Sequence, residues 1–347
     1  MLFFLPCLEV SKEKYGNIVK ENAMSKDELL SMLENRGGDG KIVTGGELAR
    51  ALGVSRVAVW KAINALKEDG YAIESVKTRG YRFLSRNDVL SEASIRSGLK
   101  TRFLGGRIEV LKTVDSTNAH MKRMDLSATD EGLVVVADGQ TAGRGRKNRP
   151  FYSRPGEGLY MSLLLKPDIP PDETRFLTIC AGLAVCGTLE SVCGLNPRIK
   201  WVNDVYCDEK KLCGILTEGA ISVEQQRMSH VVVGIGVNTG TVEEEVRDIA
   251  TSVQQLAGRR PDRGELAAEI LNRMESLCLD LADGRKKKLL DEYRSRQLVI
   301  GRTVEVLTGT ETFRALAVSI DDEGALIVEN ETGRIRLSSE EVSLKLN

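Results

Sequence analysis

Histidine is nearly missing from this chain: two of 347 residues, His120 and His230. With so few imidazoles, and seven cysteines (7, 180, 186, 193, 207, 213 and 278) that form no Cys-x-x-Cys pair, no structural zinc site is expected. Neither histidine has an identifiable Ser and Asp partner, so covalent nucleophilic catalysis lacks support. An odd cysteine count without a framework fits reduced thiols in a cytoplasmic protein, most of them small buried hydrophobes. No apolar run approaches the roughly 18 residues that span a bilayer, so no membrane association is expected. Residues 1–10 are apolar, but they lack a basic stretch before them and a small-residue cleavage site, which argues against a signal peptide. An excess of one charge is also missing. The formal net charge is -1, so any nucleic-acid surface has to be local. Neither a Walker loop nor a Gly-x-Gly-x-x-Gly fingerprint is present, so a nucleotide would bind outside those frameworks.

What is present is concentrated in a few short blocks. After a β-like run over 132–138, residues 140–150 read Gln-Thr-Ala-Gly-Arg-Gly-Arg-Lys-Asn-Arg-Pro. Gly143 and Gly145 let the backbone turn its N–H groups toward a ligand. Arg144, Arg146, Lys147 and Arg149 supply donors that match a carboxylate or a phosphate. The loop reads as an anion wrap; a solvated basic surface loop is the plainer alternative. Further on come Lys200-Trp201-Val202-Asn203-Asp204 and Lys210-Lys211-Leu212-Cys213-Gly214. Ser116-Thr117-Asn118 lies upstream and Gly234-Ile235-Gly236-Val237-Asn238 downstream. Taken singly these have ordinary readings: a helix cap at Ser116, a wall residue at Trp201, a salt-bridged strand end at Lys200, and close strand packing at Gly234 and Gly236. Taken together, cations beside glycines suit adenylation, in which a carboxylate attacks the α-phosphate of ATP. The protein then mainly holds two anions together and neutralises charge as pyrophosphate departs.

The length leaves room for two or three domains. Residues 1–23 read as an extension, either a disordered or genuine arm or the product of a misassigned start. Residues 24–85 read as a winged helix-turn-helix. A helix over 25–35 is capped by Ser25 with Glu28 in the capping-box position, and residues 37–40 break it. A second helix covers 44–52. After the turn at Gly53, a third covers 56–68 with Val57, Trp60, Ile63, Ala65 and Leu66 as its inner face. A hairpin over 71–84 has its tip at 77–80. Ser55, Arg56, Lys61, Asn64 and Arg79 are the candidate DNA contacts.

The segment 86–296 alternates strand-like runs (108–111, 133–137, 159–165, 199–201, 213–218, 230–237) with helical ones (173–193, 263–285). That is a mixed sheet with helices on it, α+β. Residues 297–347 carry runs at 303–307, 313–320, 325–330 and 334–337, which read as a small antiparallel barrel.

The four central blocks, in this order behind a winged helix, resemble the bifunctional biotin protein ligases that also act as biotin operon repressors, from about Met24 onward. The resemblance implies a biotin/lipoate-ligase-like catalytic domain and an SH3-like C-terminal domain. It implies that Ser116, Thr117, Asn118, Gln140, Gly143, Arg144, Lys211, Gly214 and Gly234 bind biotin. Arg146, Phe151, Asn203, Asp204, Asn238 and Lys345 would bind ATP, Asn238 facing adenine, and Asp204 would help hold Mg²⁺. Lys211, Arg144 and Arg146 would be catalytic. Glu341 falls beside Lys345 where relatives influence nucleotide binding or acceptor docking. Val202 stands where the family usually has proline, Phe151 where it has tryptophan, and Lys147-Asn148 where it has Arg-Gly. The implied partners are a biotin carboxyl carrier protein, operator DNA, and a second copy of the chain once the adenylate is bound. Two other readings stand beside it: a non-catalytic biotin-sensing transcription factor, which the intact Arg144, Arg146 and Lys211 disfavour, and a ligase for a related acid such as lipoate, which the polar set around Ser116 disfavours.

Overall fold

The computed structural model describes residues 26–37, 41–68, 71–77, 79–85, 89–222, 224–308, 311–337 and 343–346. The expected extension 1–23, the Ser25 cap, the break at 38–40, Thr78 at the wing tip and Glu341 lie outside these. The chain packs into two compact units that divide between Ser94 and Ile95.

In the first unit, α1 (Lys26–Gly37), β1 (Ile42–Val43), α2 (Gly45–Leu52), α3 (Arg56–Glu68), β2 (Ala72–Val76) and β3 (Gly80–Ser85) form three helices and a sheet of order β1-β3-β2. Thr44 caps α2 rather than beginning it. Its hydroxyl accepts from Glu47 N and the Glu47 carboxylate accepts from Thr44 N, a reciprocal box. Gly53, at φ 67, ends the helix. Helix α3 has the expected bounds but a different inner face. Val59, Ile63 and Leu66 are the buried residues, packed with Leu29, Leu33 and Leu48. Val57 and Trp60 are instead 62% and 55% exposed. The segment is apolar at 57–60, 62, 63, 65 and 66, so its pattern suits more than one face, and packing against α1 and α2 selects one. The wing hairpin β2–β3 follows the expectation.

The second unit begins within α4 (Glu92–Arg96) and is built on β4 (Ile108–Val114), α5 (Thr117–Lys122), β5 (Val134–Gln140), β6 (Gly158–Leu165), α6 (Arg175–Cys193), β7 (Arg198–Lys200), β8 (Asp204–Cys207), β9 (Lys210–Ser222) and β10 (Arg227–Asn238). The sheet order is β4-β5-β6-β10-β9-β8-β7. Only β4 and β5 run parallel; the other neighbours are antiparallel, so the sheet is mixed. Strand β8 is short, four residues, and was not anticipated. Asp208 and Glu209, at φ 48 and 64, turn it into β9. A two-residue hairpin needs positive φ at both positions, but the usual Asn-Gly signal is absent here. Trp201 lies in the turn after β7, not in the strand.

Helix α6 starts at Arg175, after a 3₁₀ turn over Pro171–Thr174. By length and composition the stretch Pro171–Cys193 is apolar enough to cross a membrane, with mean hydropathy 1.8, which corrects the expectation that no such run exists; 78% of its apolar window is buried in the fold. It is the central core helix, packed on β9 and on α8. After α7 (Val253–Ala257) the expected helix over 263–285 is present, ending at Ala282, and a further helix beyond that range was not anticipated. Helix α8 (Arg263–Ala282) stops before Gly284, at φ 77, and α9 (Lys286–Ser295) follows. The chain closes with β11 (Thr303–Leu307), β12 (Thr312–Ile320), β13 (Leu326–Asn330), β14 (Gly333–Leu337) and β15 (Ser343–Leu346). They form one antiparallel sheet of order β14-β13-β12-β11-β15, with the unanticipated β15 added beside β11.

Candidate functional site

Strand alternation sets the site. On one face of β9 and β10, Ile215 points toward Gly182 of α6. On the other, Val232 packs with Met121 of α5, and two and four residues further along come Gly234 and Gly236. A Cβ on Gly234 would lie 2.4 Å from Asn118 Oδ1, and one on Gly236 would lie 2.7 Å from the Phe151 ring. Gly214, in register with Gly236, would bring its Cβ 3.2 Å from Lys211 Nζ. The glycines therefore let side chains lie directly on the sheet, and a cavity opens above them. Its lining includes Ser116, Thr117, Asn118 and Gln140 at one end and Arg144, Arg146, Arg149, Lys200, Asp204 and Lys211 at the other.

The polar end is a closed hydrogen-bond network. Ser116 caps α5, which presents Thr117 and Asn118 to the sheet. Gln140 Oε1 accepts from Thr117 N at 2.8 Å, and Gln140 Nε2 donates to Ser153 Oγ at 2.9 Å. Ser162, fully buried on β6, lies 2.7 Å from Thr117 Oγ1 and 2.6 Å from Asn118 Oδ1. Asn118 Nδ2 donates to Glu218 Oε2 at 2.8 Å and to Leu216 O at 3.2 Å. Asp115, just before the cap, is held far below the usual carboxylate range by the Arg123 guanidinium, helped by the Ser116 N–H. Such a network fixes each amide and hydroxyl in one orientation, as recognition of a ligand with its own donors and acceptors demands.

The cationic end is a loop. Arg144 bridges Pro150, Gly145 N donates to Arg149 O, and Phe151 N donates to Gly143 O, so residues 143–151 form a tight hairpin with Lys147 and Asn148 in left-handed conformation. Gly143 is required by closeness: a Cβ there would lie 2.5 Å from Phe151 O. Arg146 Nη1 donates to Asn203 Oδ1 at 3.3 Å, tying the loop to the turn after β7. That turn is itself anchored: Trp201 Nε1 donates to Gly324 O, and the buried Tyr293 of α9 donates to Val202 O. Lys211 Nζ lies 2.6 Å from Asp204 Oδ1 and 6.0 Å from the Phe151 ring centre. Burial lowers the pKa of Lys200, with Lys211 and Arg149 adding to that and Asp204 opposing it. Its amine lies 3.3 Å from Tyr206 Oη.

The structure thus gathers most of the expected site residues at one cavity. Among the described residues, the expected Gly143 and Asn238 are outside its lining. Asn238 ends β10 and donates to Thr251 O at 3.0 Å, and Lys345 lies on β15 opposite Glu305. Tyr160 lines the cavity unannounced, and Lys200 joins it although a strand-end salt bridge was the simpler reading. Ser162 supports it from behind; its only sequence signal is being the one serine inside the apolar run 159–165. Among the described residues no cluster of three or more His, Cys, Asp or Glu gathers to hold a metal.

In the first unit Ser55 Oγ accepts from Ala58 N, capping α3, and the Arg56 guanidinium lies over Gly46. Lys61 and Arg79 are exposed, and Asn64 is half-buried.

A cavity with a structured polar end and a cationic loop, on a mixed sheet in a chain that also bears a winged helix, defines a winged-helix protein with a site for an anionic small molecule. Family models agree. Residues 110–238 match the biotin/lipoate A/B protein ligase family, 27–82 an HTH domain and 299–345 the biotin protein ligase C-terminal domain. The bifunctional ligase/repressor BirA of Bacillus subtilis is 36% identical over 92% of this chain and 98% of its own; that of Escherichia coli is 28% identical over 87% and 92%. Among solved structures, biotin protein ligase from Aquifex aeolicus in complex with biotin and ATP is 32% identical with a TM-score of 0.61, covering 70% of this chain and all of that one. The chain belongs to the biotin/lipoate A/B protein ligase family.

Proposed function

We propose that this protein is an ATP-dependent biotin–protein ligase and a biotin-responsive transcriptional repressor. It joins biotin and ATP into biotinyl-5′-AMP, then transfers the biotinyl group to a lysine of a biotin carboxyl carrier domain. The observation that carries the reading is the two-ended cavity. The ordered polar wall of Ser116, Thr117, Asn118 and Gln140 suits a ureido ring, which has both donors and acceptors. The cations Arg144, Arg146 and Lys211 at the far end suit the carboxylate and the α-phosphate. Lys211 is held by Asp204, so its compact charge is aimed where two oxyanions meet. Phe151 covers the glycine floor, and Asn203 steadies Arg146.

ATP enters with Mg²⁺. Asp204 is the carboxylate lining the cavity, and Mg²⁺ typically takes one or two carboxylates plus substrate phosphates and water, so Asp204 fits that role. The metal would neutralise charge on the departing pyrophosphate. Asn238 faces adenine and Lys345 approaches the nucleotide in this reading.

Residues 24–85 bind operator DNA through Ser55, Arg56, Lys61, Asn64 and Arg79, as a homodimer of the adenylate-bound form on two half-sites. Residues 86–296 and 297–347 form the ligase proper, and the protein works in the cytoplasm. Labelled biotin incubated with the protein, ATP-Mg²⁺ and a carrier domain should become attached to the carrier. Label transfer from lipoate in place of biotin would overturn the substrate assignment.

A further inference from the structure

The DNA-facing helix carries two large apolar side chains that the fold does not use. Val57 and Trp60 are 62% and 55% exposed, while Val59, Ile63 and Leu66 on the opposite side of α3 fill the core. Leaving an indole and an isopropyl group in water is unfavourable unless something covers them. They stand three residues apart, one turn from each other on the same face, within the N-terminal half of α3, the part of a second helix-turn-helix helix that meets base edges. Their surroundings are cationic and polar: Lys61 is exposed beside Trp60, and Ser55 is committed to capping the helix. Arg56 is drawn back over Gly46, which leaves Val57 and Trp60 as the most prominent groups on that face.

Apolar groups flanked by cations fit one occupant well, the major groove of duplex DNA. Phosphates meet the cations there, and the one apolar feature on a base edge is the C5-methyl of thymine. We infer that Val57 and Trp60 read thymine methyl groups in the major groove, so that part of the sequence specificity of this winged helix is apolar rather than hydrogen-bonded. The inference rests on the DNA-binding half of the proposed function and adds to it a residue-level specificity.

The test uses the full-length protein with biotin and ATP-Mg²⁺. A binding duplex is first enriched from a randomised DNA pool. It is then resynthesised with uracil, which lacks the methyl group, at each thymine in turn. Wild-type protein should lose about fourfold in affinity at one or a few discrete positions, the worth of one buried methyl. Trp60→Ala and Val57→Ala should each bind the thymine duplex more weakly and no longer distinguish it from the corresponding uracil duplex. Their biotin-dependent pyrophosphate exchange and thermal unfolding, which report folding, should match the wild type. Wild-type indifference to uracil at every position overturns the inference while leaving DNA binding intact. Equal loss by the variants on thymine and uracil duplexes also overturns it, since that marks a structural role. A pool that yields no enriched duplex overturns both this inference and the DNA-binding reading beneath it.

Discussion

The two ends of the cavity are built differently. At the polar end Thr117, Asn118 and Ser162 are 4%, 5% and 0% exposed, and their hydrogen bonds run between α5, β5, β6 and β9. At the cationic end Arg144 and Arg149 are exposed, and the loop is closed mainly by backbone bonds to itself, with Arg146 reaching across to Asn203. Fixed amides and hydroxyls discriminate ligands, because an unmatched buried polar group is costly. Charge acts at longer range and tolerates a looser mounting. On the proposed function, recognition would fall to the more buried end and the chemistry to the more exposed one, so damage to the two ends should have different kinetic signatures.

The sharpest separation should come from Lys211→Ala. Removing a cation aimed at the reacting phosphoryl group costs on the order of 3 kcal/mol in the transition state, roughly a hundredfold or more in adenylation rate. Biotin binding, measured by calorimetry without ATP, should fall far less. Near-normal biotin-dependent pyrophosphate exchange in this variant would remove Lys211 from the chemistry.

Gly234→Ala attacks the other end. The new methyl would lie 2.4 Å from Asn118 Oδ1 and so push Asn118 off Ser162. Biotin affinity should drop on the order of tenfold, about 1.4 kcal/mol, with the rate at saturating biotin largely kept. A rate defect larger than the affinity defect would contradict the division between the two ends.

Ser162→Ala is gentler, since it touches the ligand only through its neighbours. It strips a partner from Thr117 and Asn118 and should cost about 1–3 kcal/mol of stability. Thermal unfolding should report this, with exchange activity near normal below the transition.

The smallest effect expected is one of pH. Burial disfavours the charged form of Lys200, so its cation is lost at a lower pH than the 10.5 usual for lysine. As pH rises through that lowered value the cationic end weakens, and exchange should decline on the alkaline side. Lys200→Arg keeps its charge throughout, so its decline should begin at higher pH. Identical alkaline limbs would show that Lys200 does not set this one.

Much of the molecule was legible in advance. The α3 bounds, the wing hairpin, β11 and the cavity blocks around Gly143, Asn203 and Lys211 all follow from local signals: caps, glycines, alternation and clustered charge. The inner face of α3 was misread because its apolar residues are too evenly spread to define one side. Helix α9 was not anticipated, because its ten residues are mostly charged and only Leu289, Leu290 and Tyr293 are buried. Strand β8 escaped because its hairpin uses Asp208 and Glu209 where glycine is usual.

The sequence by itself determined which chemistry is available: few imidazoles, no phosphate-binding glycine fingerprint of the common kinds, and cations set beside glycines in a fixed order. These are properties of residue types and their spacing. Tertiary structure alone decided which of these groups meet. Ser162 reaches Thr117 across 45 residues of chain, Trp201 is pinned by Gly324 from the C-terminal sheet, and Tyr293 holds the Val202 carbonyl. Such contacts depend on strand register and helix packing between distant segments, which no local pattern encodes. The exposure of Val57 and Trp60 was decided in the same way, because the core has room for only one face of α3.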